Sequence, residues 1–286
     1  MRISYIQNKT ELSRSTETRI SHNLIQKFID RGHSIILNDC DESCDVILCM
    51  NGLSQSLLFN RIQLEYPNIK TVMYVWDCYP WTEYFKNYTE ITSYTEIWAP
   101  SNEVILRLNE AYGIDINRCK VIKGYTNFFE SDNSKIRNDE FVYHPVRYYV
   151  DSNYEITNKA CKKLNIPLIR SNHVLKEEKY RDVILSCSFL VTEYMEASTG
   201  GLTLLEGYYH GKNVLVSDSI YMGARDYFGD RAYYFKDGDF DDFTRMVDYL
   251  WNLEYTPDLQ ERREWCQQYT IDAMVDRILN RLMELV

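Results

Sequence analysis

Two hydrophobic periods alternate along this chain. Arg2 to Ile6, His33 to Leu37, Asp45 to Met50 and Lys70 to Val75 are short apolar runs, the pattern of strands buried on both faces. Between them apolar residues recur at helical spacing. Ile20, Leu24, Ile25 and Phe28 predict a helix over 17–31 closed by Gly32, and a second helix falls over 54–65. The series continues with a strand at 96–101, a helix at 102–112 and a strand at 119–122. Ser101 is the expected N-cap of that helix, Glu103 suits the positive end of its dipole, and Gly113 ends it.

Residues 127–140 are polar and break the periodicity. Strand and helix patterns then resume, with strands at 140–144, 166–169, 189–191, 214–216 and 232–235. Helices are predicted at 155–164, 176–186, 202–209 and 240–253, with one or more closing helices over 257–285. Strands alternating with helices predict α/β layers on parallel sheets. A chain of 286 residues is comfortable for two such domains.

The stretch from Glu193 to Asp218, EYMEASTGGLTLLEGYYHGKNVLVSD, carries the candidate chemistry. A polar loop, Glu196 to Gly201, precedes the helix at 202–209. Gly211 stands where a helix cap needs a left-handed residue, and a β-branched run follows. Gly200 and Gly201 let the backbone approach a ligand just where the free N–H groups of the first helical turn favour an anion. Glu206, one turn into the helix, offers a carboxylate to sugar hydroxyls. The plainer reading is an ordinary αβ unit with Leu202, Leu204, Leu205 and Tyr209 on a sheet and Glu206 facing water.

GGLTLLEGYYHGKNVLVSD resembles the nucleotide-sugar signature of retaining GT-B glycosyltransferases (glycosyltransferase family 4-like), which include sucrose synthases and many bacterial mannosyl- and glucosyltransferases. A second phrase, APSNEVILRL…YGID…KVIKGYTNFF, resembles the end of that family's first domain, and the two stand in the family's order. The resemblance implies two Rossmann-like αβα domains facing a central cleft. Residues 1–126 would form the acceptor-side domain, 127–139 a linker, 140–270 the nucleotide-sugar domain, and 271–286 a helix crossing back to the first domain. It also implies donor binding by Ser198, Thr199, Gly200, Gly201, Leu202, Thr203 and Glu206, with Glu206 on the ribose. Arg147 would neutralise the diphosphate, Asp77 would lie on the acceptor side, and Glu196 or Ser198 would meet the donor sugar. Without the family, Asp77 is a capping residue in an aromatic loop and Arg147 a surface arginine.

Three departures stand out. The family's first Glu position is Ser198, with Glu196 the nearest upstream acid. No glycine follows the first strand in 7–18. The Lys expected shortly after Arg147 is replaced by Asp151, Ser152 and Asn153, leaving Lys123, Lys135, Arg170 or Lys176 as substitutes.

Composition narrows the rest. A net charge of −10 disfavours a general phosphate-backbone binder, and 24 tyrosines suit clefts for sugars or rings. The eight cysteines form no CxxC pair and read as reduced core residues; the five histidines show no metal-ligand spacing. With neither a signal peptide nor a long apolar run, the expected location is cytoplasmic. The family implies a transferase, hexosyl or pentosyl, that uses a nucleotide-diphosphate sugar as donor substrate, retains configuration and needs no metal or other cofactor. The acceptor stays open among glycan, lipid, protein, small molecule and modified DNA base. A nucleotide-sugar-binding protein without transferase activity, or a nucleotide-sugar epimerase on the same scaffold, is the alternative.

Overall fold

A computed structural model describes residues 1–7, 16–50, 56–76, 94–137, 140–145, 154–170, 177–192, 202–219, 223–254 and 256–286. The chain divides into two units, Met1–Tyr125 with Ile271–Val286, and Thr126–Thr270.

In the first unit the strands are β1 (Arg2–Ile6), β2 (Ser34–Leu37), β3 (Val46–Met50), β4 (Lys70–Tyr74), β5 (Glu96–Ala99) and β6 (Cys119–Val121). They pair in the order β2-β1-β3-β4-β5-β6, every pairing parallel. The returns that carry α1 (Thr16–Asp30), α2 (Ser56–Glu65) and α3 (Asn102–Tyr112) therefore run over a face of the sheet. Side chains alternate between two cores, as the two-residue strand period requires. Ile47, Cys49, Met73 and Ile97 meet Ile62 of α2 and Val104 and Leu108 of α3. Ile3, Tyr5, Leu48, Tyr74 and Trp98 meet Leu24 and Phe28 of α1 on the other face. Ser101 caps α3 as its sequence indicates, its hydroxyl accepting from Val104 N–H.

The second unit holds β7 (Val142–His144), α4 (Tyr154–Leu164), β8 (Leu168–Arg170), α5 (Glu177–Ser186), β9 (Phe189–Thr192), α6 (Leu202–Tyr209), β10 (Asn213–Ser217), α7 (Ala224–Phe228), β11 (Tyr233–Phe235), α8 (Phe240–Trp251) and α9 (Leu259–Cys266). Its sheet runs β11-β10-β9-β7-β8, again wholly parallel. α5 and α6 cover one face through Ile184, Leu204, Leu205 and Tyr208; α4 and α8 cover the other through Cys161, Phe243 and Val247. The polar stretch after Tyr125 packs on this unit. Phe129 is buried in its core, Ser131 bonds His210, and Lys212 Nζ donates to Arg137 O. Cysteines 49, 187 and 266 are buried, which pushes each thiol up to about 12.

The closing segment splits at a 3-10 turn, Gln267–Tyr269, and α10 (Ile271–Leu285) belongs to the first unit. Met274, Val275, Ile278, Leu279 and Leu282 are buried in the core they share with Leu24 and Phe28 of α1, beside which the helix lies. At roughly 1.5–3 kcal/mol for each buried side chain, this stripe outweighs any single polar contact of the helix. Asp272 and Asp276 pair with Lys27 and Arg31 of α1, and a further polar contact reaches β5. Arg281 pairs with Glu96 of β5 through two hydrogen bonds, one of 2.9 Å from Nε, and Trp98 Nε1 donates to the same carboxylate at 2.9 Å. Burial opposes the Glu96 charge, but the Arg281 and Trp98 hydrogen bonds outweigh it and hold the carboxyl below its ordinary range.

Two glycines set α6. A Cβ on Gly207 would overlap the Leu190 side chain, so glycine is what lets this helix lie close on β9. Gly211 ends the helix at φ 81°, and a Cβ there would sit 2.8 Å from Pro257 Cγ and 2.7 Å from Leu259 Cδ2. Gly211→Ala combines left-handed strain with that overlap and is expected to cost about 1–3 kcal/mol in urea unfolding. A change within about 0.5 kcal/mol would mean that the turn rearranges freely.

Candidate active site

In the second sheet the chain passes from β7 to β8 on one side and then to β9 on the other. The carboxyl ends of β7 and β9 thus flank the topological switch, where open parallel sheets gather ligands. Of the residues singled out in the sequence, Arg147, Glu196, Ser198, Thr199, Gly200 and Gly201 follow those two strands and lie outside the described residues, as does Asp77 after β4. Leu202, Thr203 and Glu206 are described, all on α6.

Glu206 does not simply face water. Thr126 Oγ1 donates to its Oε1 at 2.9 Å, and the Tyr180 hydroxyl donates to its Oε2. Thr203 stands one turn before Glu206 on the same helix face. Burial, and then the Glu206 charge beside it, push the Tyr180 phenol well above its ordinary range, so it remains a proton donor. Three segments converge on one carboxylate: Thr126 at the start of the unit, Tyr180 on α5 and Thr203 with Glu206 on α6. Leu202 packs at the edge of the core below.

A second polar pair marks the carboxyl edge. His144 ends β7, 5% exposed, and stands opposite Arg170 in the β8 register. Burial first, and the Arg170 charge second, push the imidazole down to about 4. Of the cations named as substitutes for the absent lysine, Arg170 lies on this edge. Lys135 sits in an exposed turn, Lys123 belongs to the first unit, and Lys176 falls outside the described residues.

Thr126, Tyr180 and His144 were not legible as site residues. Tyr180 had a signal: with Val183 and Ile184 it forms an inward stripe on α5, so its ring enters the core while its hydroxyl reaches past it. Thr126 carries no such mark. Elsewhere, a cavity of about 410 Å³ opens at the amino ends of β10 and β11. Arg231 pairs there with Glu261, and Arg262 donates to Lys212 O and Asn213 Oδ1, which suits a structural role. Among the described residues no group of three His, Cys, Asp or Glu side chains could hold a metal ion, and no helix is long and apolar enough to cross a membrane.

No family model matches the sequence, and no curated protein matches it. Solved structures do match the fold. The lipopolysaccharide outer core galactosyltransferase WaaB, in apo form, aligns with TM-score 0.74 at 12% identity, covering 100% of both chains. Anabaena HepE in complex with UDP aligns with TM-score 0.69 at 11% identity, covering 99% of this chain and 100% of that one. Sucrose-phosphate synthase from Thermosynechococcus elongatus aligns with TM-score 0.70 at 10% identity, covering 99% and 98%. The fold is therefore that of GT-B glycosyltransferases: two Rossmann-like αβα units, each on a parallel sheet.

The buried histidines give the second unit an acid limit. His144 and His210 are both pushed down to about 4, chiefly by burial. An imidazole depressed in the folded state favours folding above its unfolded value near 6.5 and loses that contribution as pH falls toward 4. Stability is expected to fall steeply across that window, and His144→Gln is expected to flatten the fall by up to about 1.4 kcal/mol per pH unit. Urea midpoints at pH 7, 5.5 and 4.5 test this; equal slopes in parent and variant would reject it.

Proposed function

We propose that the protein is a glycosyltransferase that moves a hexosyl or pentosyl group from a nucleotide-diphosphate sugar to an acceptor hydroxyl, with retention and without a metal. The observation that carries this reading is the Glu206 carboxylate, fixed one turn into the helix that follows β9. A carboxylate held there suits the two ribose hydroxyls of a nucleotide. The loop before it, with Gly200 and Gly201, suits the donor phosphates at a helix N-terminus. Similarity to HepE, solved with UDP and also with UDP and glucose, supports a nucleotide donor.

In this reading Thr203 contributes to the donor site beside Glu206, and Leu202 lines its apolar edge. Arg147 meets the diphosphate and stabilises charge on the leaving group. Arg170 is the described cation best situated to support it. Glu196 or Ser198 meets the donor sugar and Asp77 lies on the acceptor side. Retention without a protein nucleophile assigns the acceptor proton to the donor's own phosphate. The bond from the anomeric carbon to the phosphate oxygen breaks, the acceptor oxygen bonds the same carbon, and the nucleoside diphosphate leaves. The acceptor class is open, and a cytoplasmic location is proposed with the rest.

The test is a thermal-shift panel of UDP, GDP, ADP, CDP and their common sugars, repeated with Glu206→Ala and Arg147→Ala. A ligand at 100 times its Kd stabilises by about 2.7 kcal/mol, well within detection. One nucleotide is expected to stabilise the parent and lose most of that effect in Glu206→Ala. No shift with any nucleotide would overturn the donor site, and binding without sugar release in any acceptor screen would favour a binding protein. Release of the nucleoside diphosphate is expected to persist in EDTA; its loss, restored by a divalent ion, would remove metal independence.

A further inference from the structure

We infer that the cavity at the amino ends of β10 and β11 is a second ligand site, and that it takes a neutral saccharide. Asn213 and Tyr233 line it and are the first residues of their parallel strands, so it opens at the edge of the second sheet opposite to the proposed donor edge. Its volume of about 410 Å³ lies within the range of small-molecule sites. Its walls are held by the pairs already described. Arg262, 5% exposed, donates to Lys212 O at 2.7 Å and to Asn213 Oδ1 at 3.0 Å, and its guanidinium lies 4.2 Å from the centroid of the Tyr208 ring. Arg231 pairs with Glu261 and donates to the Tyr208 hydroxyl at 3.2 Å.

Those pairs also define what the cavity can hold. Its lining sets the two arginines against two carboxylates, Glu261 and Asp230, so a phosphate or an ammonium ion is offered no net charge of opposite sign. A sugar hydroxyl, at once donor and acceptor, can be answered on both counts. Arg262 occupies the Asn213 carbonyl oxygen, which turns the amide N–H2 group to the donor role. Asp230 and Glu261 supply acceptors, and Arg231 supplies further donors. Tyr233 adds a half-buried aromatic ring, and that surface continues onto Tyr249, whose ring centroid is 6.0 Å away and which is 49% exposed. Aromatic area beside groups that read hydroxyls suits a sugar ring, which carries C–H faces and an O–H rim.

The experiment titrates methyl glucoside, methyl galactoside, methyl mannoside and the corresponding disaccharides into the full chain, followed by ligand-observed NMR. Inorganic phosphate and tetramethylammonium are the charged probes. At least one saccharide is expected to bind, and more tightly than either charged probe. Tyr233→Ala is expected to weaken it roughly fivefold, and Tyr233→Phe, which keeps the ring, by less than about twofold. Glu261→Gln, which exchanges a charge-assisted acceptor for a neutral one, is expected to weaken it roughly fivefold. Glu206→Ala is expected to leave saccharide affinity unchanged, so failure of the donor site and failure of this site are separate outcomes. Four results would overturn the inference: no saccharide bound, phosphate bound more tightly than every saccharide, affinity unchanged in both Tyr233→Ala and Glu261→Gln, or binding lost in Glu206→Ala. If Tyr233→Ala does not fold, Glu261→Gln, a substitution of nearly equal shape at a partly exposed side chain, decides alone.

Discussion

Parallel pairing is the constraint from which the rest of this molecule follows. Every strand contact in both sheets is parallel, so no strand can be joined to its neighbour by a tight turn. Each crossing must traverse a face, and those that carry a helix cover both faces of each sheet. The strands then have no wet side, which is why β3 and β5 are buried at every position. The same constraint brings all the carboxyl ends of a sheet to one edge. In the second unit His144, Arg170, Thr192 and Ser217 share that edge for this reason alone, before any chemistry is asked of them.

On such a scaffold the position of a functional side chain is set by how its helix seats. α6 is fixed by Gly207 against Leu190 and by Gly211, whose left-handed conformation turns the chain into β10 beside Pro257 and Leu259. Close seating brings Glu206 within reach of Tyr180 on α5, because α5 and α6 cover the same face. The polar cluster is thus a product of apolar packing. Shift α6 outward by the thickness of a methyl group and the Tyr180 to Glu206 bond lengthens beyond use. A tyrosine suits the position because its ring joins the core while its oxygen reaches the carboxylate.

The alternation of continuous apolar runs with helical stripes was enough to foresee α/β layers and most element positions, since burial on both faces writes itself directly into β3 and β9. Caps were equally legible: Ser101 and Gly211 do what their chemistry requires. Length divided less cleanly. The polar run 127–139 reads as a linker, yet Phe129 and Ser131 pack it on the second unit; Phe128, Phe129 and Ile136 among polar residues leave no period to detect. Glu206 stood out by its place in a phrase, but its partners did not. Thr126 and Tyr180 lie 80 and 26 residues away, and no local pattern encodes a contact that only tertiary packing creates.

Charge is where the donor reading meets its hardest physical demand. A chain of net charge −10 repels a diphosphate at long range, which slows encounter but does not decide affinity. At physiological salt, exposed charges more than about 8 Å from the ligand are largely screened, so the local set governs. At the carboxyl edge of the second sheet that set contains Arg170 beside a histidine that burial keeps neutral. A protonated His144 would add a second cation, but it would have to hold that charge in a site only 5% exposed and against Arg170. Desolvation wins, and the cation left on this pair is the arginine. For the proposed donor the helix N-terminus ahead of Glu206 then matters most, because backbone N–H groups attract an anion without the desolvation cost of a buried charge.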